Sequence, residues 1–144
     1  MRSNIRQPFY DAPKGGIMKV FIIAIVLGLT SGIYAAPQTK NLLVKVDHER
    51  IVPGTRIKVK FIELIEDARC PTDVNCVWAG NAKVKLRLSK GSDEEVVELN
   101  TSLKPQTVDF GGYRFKLAGL TPRPRSNVRI SRLGYVAALK ADKL

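Results

Sequence analysis

Few side chains in this sequence could do chemistry. Two cysteines, Cys70 and Cys76, are separated by five residues, Pro71, Thr72, Asp73, Val74 and Asn75. That spacing lacks the Cys-x-x-Cys geometry of thiol redox catalysts, and with no further cysteines in the chain there is no second ligand pair for zinc. It suits a one-turn loop closed by a disulfide. The single histidine, His48, ends a short apolar run, and a lone histidine is far more often a surface residue than a general base or ligand. Glu63, Glu66, Asp67 and Asp73 gather around the cysteine loop, where a carboxylate pair for glycoside hydrolysis or an oxygen cage for calcium is conceivable. Loop acids more often cap turns or pair with a neighbour such as Arg69. Hydrolase triads, glycine-rich phosphate loops and dinucleotide fingerprints are missing. The expectation is a non-enzymatic protein with no catalytic residue, cofactor or metal.

The loop itself says more than its chemistry. In the run from Asp67-Ala68-Arg69-Cys70-Pro71 to Cys76-Val77-Trp78-Ala79-Gly80, proline fixes φ for a turn, and Thr72, Asp73 and Asn75 offer acceptors to nearby amides. Val77-Trp78 is apolar enough to re-enter a core, and Ala79-Gly80 is small enough to bend. Asp67, Arg69, Pro71, Trp78 and Gly80 form the structural motif, with Trp78 expected to plug the core against the disulfide. A structural corner would bury Val74 and Trp78, whereas a binding loop would leave them protruding.

These residues resemble the signature of a family of small exported bacterial proteins and lipoproteins, whose members usually carry Ser where this chain has Ala68. The likeness spans roughly half to two-thirds of the chain, and its specific part is Arg69 to Gly80. It implies export and brings no activity with it. Neither cysteine lies near the amino terminus, so no lipid anchor on cysteine is expected.

Met18-Lys19 opens a different kind of segment. Ten apolar residues, Val20 to Leu29, precede Thr30-Ser31-Gly32-Ile33-Tyr34-Ala35-Ala36-Pro37, the layout of a secretory signal peptide and too short to span a bilayer well. The expected organisation is an upstream extension over 1–17 with translation starting at Met18, a signal peptide over 18–35 cleaved near Ala35 or Ala36, and one domain over 36–144. An uncleaved anchor is the alternative. Export to the periplasm or medium would let the Cys70–Cys76 disulfide form and persist. The chain of 144 residues carries a net charge of +11, and residues 36–144 retain 20 Lys and Arg against 12 Asp and Glu, so the domain is basic in its own right.

Period-two alternation dominates after residue 40, which predicts strands. Leu42 to Asp47 is a short run, Pro53-Gly54 a turn, and Arg56 to Phe61 alternates with Ile57, Val59 and Phe61 on one face. Lys83 to Leu88 repeats the pattern with Val84, Leu86 and Leu88 inward, and Lys90-Gly91-Ser92 turns into a return strand over Glu95 to Leu99. Gly111-Gly112 leads into Tyr113 to Leu117, and a last strand is expected from about Val128 to Leu139, with a break near Gly134. Six or seven strands with no helix beyond a single turn predict an all-β fold, a small antiparallel Greek-key sandwich or barrel with one disulfide-closed loop.

Binding is the stronger functional class, in two versions. Arg56, Lys58, Lys60, Lys83, Lys85, Arg87, Arg114 and Lys116 fall opposite apolar positions and could gather into an anion-binding sheet face, unless Asp93, Glu94, Glu95 and Glu98 neutralise it across strands. Alternatively the loop is presented as in protease inhibitors, with Pro71 to Asn75 as a preorganised contact. The partner is then an extracytoplasmic protein or an anionic glycan or lipid surface. Nucleic acid is disfavoured by the destination, and a monomer or weak oligomer is expected.

Overall fold

Alternation in Arg56 to Phe61 and Lys83 to Leu88 places Ile57, Val59, Phe61, Val84, Leu86 and Leu88 on inward faces, and all six side chains are fully buried. A computed structural model describes residues 39–144. The start at Met18, the signal peptide over 18–35 and the cleavage near Ala35 or Ala36 lie outside the described residues. Among the described residues there are eight strands: β1 (Thr39–Lys45), β2 (Glu49–Ile51), β3 (Lys58–Asp67), β4 (Ala82–Lys90), β5 (Asp93–Asn100), β6 (Thr107–Phe110), β7 (Tyr113–Thr121) and β8 (Val136–Lys143). One 3-10 turn, Arg132–Gly134, precedes β8. No helix among the described residues is long and apolar enough to cross a membrane.

Two four-stranded antiparallel sheets result, ordered β1-β8-β7-β6 and β2-β3-β4-β5. The second is a meander. The first takes the Greek-key order, because β1 returns to lie beside the last strand. Inner faces of both sheets supply one core, where Val44, Phe115, Leu117, Ala137 and Leu139 meet Val59, Phe61, Val84, Leu86 and Leu99. Neither sheet closes on itself, so the structure is the sandwich and not the barrel.

Three details differ from the sequence expectation. Eight strands replace six or seven, because β2 and β6 have three and four residues, too few for a two-residue period to declare itself. The last strand runs Val136–Lys143 instead of Val128 to Leu139, since the prolines at 122 and 124 and the Arg132–Gly134 turn hold residues 122–135 as a loop. Strand β3 also carries register shifts between Phe61 and Glu63 and between Leu64 and Glu66, before it reaches the cysteine loop.

Strand directions sort the connections into two ends. At one end lie tight links, including the Gly91-Ser92 hairpin and the Gly111-Gly112 turn, where Lys90 Nζ donates to the Gly111 carbonyl at 3.2 Å. At the other end lie the β1–β2 turn (residues 46–48) and the connections β3–β4 (68–81), β5–β6 (101–106) and β7–β8 (122–135). The cysteine loop belongs to this loop end.

Candidate functional site

Cys70 and Cys76 are joined by a disulfide, with their Cα atoms 5.9 Å apart. The β3–β4 connection narrows to a neck beneath it. Ala68 N–H donates to the Asn81 carbonyl at 2.8 Å and Cys70 N–H to the Ala79 carbonyl at 2.9 Å, extending the β3–β4 ladder past the strands. Gly80 closes the neck at φ +72°, so close to the facing chain that a Cβ there would sit 2.0 Å from the Ala68 carbonyl oxygen.

This neck overturns the expected placement of the tryptophan. Trp78 is 75% exposed and Val77 95% exposed, and Val74 is 46% exposed. The reason is geometric: residues 77 to 79 lie on the returning arm of a hairpin-like neck that already stands beyond the sandwich. Trp78 therefore cannot reach the core that its apolarity suggested. It flanks a shallow cavity of about 410 Å³ bordered by Ala68, Gly80, Asn81, Ser102 and Leu103. Val74 and Trp78 are thus exposed, where a structural corner would have buried them.

The loop is fastened from below and from the side. Arg69 Nε donates to Asp67 Oδ1 at 2.6 Å and Nη2 to Oδ2 at 2.7 Å. The same guanidinium donates to the carbonyls of Leu120 and of Pro122, the latter at 2.8 Å. Tyr135 adds its hydroxyl to Asp67 Oδ2 at 3.0 Å. Burial alone would push the Asp67 carboxyl up, but the Arg69 guanidinium and the Tyr135 hydroxyl outweigh it and hold the group below its ordinary value. Burial and the bond to Asp67 push the Tyr135 phenol up. At the tip, Asp73 accepts from the Ser126 amide at 2.9 Å and from the Ser126 hydroxyl, which keeps its carboxyl low, and Thr72 N–H donates to the Pro124 carbonyl at 3.0 Å. Pro71 is half-buried on the wall of a second cleft, between the cysteine loop and the bulge of β7 at Ala118 and Gly119.

Two residues that the sequence reading passed over join the loops. Asn81 and Asn100 are the buried polar side chains of the domain, and Asn81 Nδ2 donates to Asn100 Oδ1 at 2.8 Å. Asn81 Oδ1 accepts from the Ser102 amide at 3.1 Å, while Asn100 Nδ2 donates to the Lys104 carbonyl at 3.3 Å. The signal available was position alone: Asn81 directly precedes β4 and Asn100 is the last residue of its partner β5.

The other candidates are dispersed. His48 sits in the turn after β1 with Nδ1 2.9 Å from the Val46 carbonyl. Of the acids, Glu63 accepts from Lys85 at 2.6 Å, a contact that lowers the carboxyl and raises the amine, while Asp67 and Asp73 are engaged as above and Glu66 is exposed on β3. No cluster of three metal-ligating side chains occurs among the described residues. The eight cations do not share a face. Arg56, Lys58, Lys60, Lys83, Lys85 and Arg87 belong to the second sheet and the turn before it, whereas Arg114 and Lys116 lie on β7 in the first. Five stand in ion pairs: Lys58 with Glu49, Lys83 with Glu98, Lys85 with Glu63, Arg87 with Glu94 and Arg114 with Asp109.

Comparison with protein-family models, curated proteins and solved structures finds no match to this chain.

Proposed function

We propose that the protein is an exported, non-enzymatic binding module whose contact element is the Cys70–Cys76 loop. The observation that carries this reading is the exposure of Val77 and Trp78 on a segment fastened by a disulfide, an ion pair and bonds to a neighbouring loop. A segment held in one shape before binding loses less entropy on association, and tryptophan is among the residues enriched at binding hot spots. Export is supported by the disulfide, which persists in oxidising compartments, by the leader-like run over 18–35, and by the resemblance of Arg69 to Gly80 to small exported bacterial proteins and lipoproteins. An inhibitor-like use of Pro71 to Asn75 is the second reading, favoured by the bonds from Ser126 and to Pro124 that hold this tip. A basic sheet face is less favoured, because five of its eight cations already face carboxylates.

The test is retention of envelope and secreted components on the immobilised protein against its Trp78→Ala and Val77→Asp variants. Both variants are expected to melt like the parent and to lose the retained partner. Unchanged retention by both would remove the loop as the contact element.

A further inference from the structure

The loop end differs from the rest of the domain in two ways at once. Its three longer connections contribute Arg69, Lys104, Arg123, Arg125, Arg129 and Arg132 but only one acid, Asp73, which accepts from Ser126, and the short β1–β2 turn at the same end adds Asp47. Arg69 is spent on Asp67, while Lys104 and the four arginines of the β7–β8 connection are exposed and stand in no ion pair among the described residues. The same connections also supply six of the domain's eleven exposed large apolar side chains: Val74, Val77, Trp78, Leu103, Val128 and Leu133. They hold about a third of the described residues, so the apolar exposure is concentrated there.

From this combination we infer that the loop end docks on an anionic lipid bilayer surface, the arginines of residues 122–135 lying among phosphate headgroups and Trp78 with Val77 entering the interfacial layer. The inference rests on the reading of the loop end as the contact surface and specifies its partner. A field in which the exposed Lys104 and four arginines outnumber the carboxylates Asp73 and Asp47 matches a polyanionic plane better than the mixed charges of a protein epitope. Arginine near an anionic membrane gains attraction with each added charge, and tryptophan favours the headgroup level because its ring is apolar and its N–H is polar. The apolar tips come from three separate loops rather than lining one deep groove, which suits shallow insertion. The disulfide and the Arg69–Asp67 pair fix the Trp78 arm, so little order is lost on contact.

The test is co-sedimentation of the full chain with vesicles of phosphatidylglycerol and phosphatidylcholine, against phosphatidylcholine alone. Every variant is made in the same full chain, so any contribution of residues 1–38 is common to all. Expected is binding that needs the anionic lipid, weakens with added salt, and shifts Trp78 emission to the blue. Arg123→Gln, Arg125→Gln and Arg129→Gln together should weaken it about a hundredfold, near fivefold for each charge. Trp78→Ala should weaken it about tenfold, with an unchanged melting temperature in both cases. Absence of binding at low salt, or binding indifferent to the anionic lipid and to both variants, overturns the inference. If vesicles fail while Trp78→Ala still abolishes retention of a protein partner, the contact-loop reading survives and the lipid inference alone falls; if both fail, so does that reading.

Discussion

Arg69 Nε lies 2.6 Å from Asp67 Oδ1 while the rest of the same guanidinium reaches the carbonyls of Leu120 and Pro122, so one side chain ties the end of β3 to the β7–β8 connection. Lys85 and Glu63 are equally close, also 2.6 Å, yet the two pairs are not equivalent. The Asp67 and Arg69 side chains are only 9% and 12% exposed, whereas Glu63 and Lys85 meet water freely. Removing one partner of a covered pair leaves a charge without solvent, so Arg69→Ala should destabilise the domain by about 3 kcal/mol. Lys85→Ala should change stability scarcely at all, since screened surface pairs contribute little. Urea midpoints of the two variants decide it, and equal losses would mean that burial is not what distinguishes the pairs.

Acid should act through the same carboxyl. Because Arg69 and Tyr135 hold Asp67 below its ordinary value, the folded protein keeps this charge at a pH where the unfolded chain has already taken up a proton. The stabilisation is therefore complete above the ordinary carboxylate range and is lost as pH falls through the folded value. Asp67→Asn should lower the urea midpoint at neutral pH, and its curve should approach that of the parent as the solution is acidified below about pH 4. Parallel curves down to low pH would contradict this assignment.

How much of this was legible beforehand depended on the length over which a pattern repeats. Arg56 to Phe61 and Lys83 to Leu88 alternate without interruption, and their inward faces were readable one side chain at a time, whereas the register shifts beyond Phe61 end the pattern in β3. Strands β2 and β6 are too short for that, and residues 122–135 carry Val128 and Ile130 in apparent alternation within a loop. The disulfide was legible because the chain has only two cysteines, closely spaced, behind a leader-like run that points to an oxidising destination. The exposure of Trp78 was not, since hydropathy favours burial and only the neck geometry, fixed by contacts between residues 68 and 81, opposes it. The segregation of unpaired arginines likewise depends on the sheet register, which sets Lys58, Lys83 and Lys85 against carboxylates of neighbouring strands and leaves the β7–β8 cations without an ion pair.

The disulfide and the tryptophan should now rank in an order opposite to that of a core plug. Closing so short a loop restricts the unfolded chain, and the Cys70→Ser, Cys76→Ser pair should cost about 2 kcal/mol. Trp78→Ala removes a ring that is three-quarters in water and should fall within about 0.5 kcal/mol of neutral, against the 3 to 5 typical of a buried aromatic. Thermal denaturation gives both numbers, and strong quenching of Trp78 fluorescence by acrylamide in the parent would agree with them. A costly Trp78→Ala with a shielded indole would place the ring in the core after all.

Gly80 should prove the most sensitive position of the neck. Its φ of +72° disfavours any side chain, and a Cβ would also lie 2.7 Å from the Arg69 Cα in addition to its clash with the Ala68 carbonyl. Both obstacles are backbone atoms held by the Ala68–Asn81 and Cys70–Ala79 bonds, so neither can move without opening the neck. Gly91 offers the control: its φ is +64°, but nothing lies within 4 Å of where its Cβ would stand. Gly91→Ala should therefore cost only the left-handed penalty of about 1 to 2 kcal/mol, whereas Gly80→Ala should exceed it by at least about 1 kcal/mol. Opening the neck would also reposition Trp78, so the Gly80→Ala protein should show altered indole emission where Gly91→Ala does not. Equal losses at the two glycines, with unchanged emission, would mean that the neck does not set the outward course of residues 77 to 79.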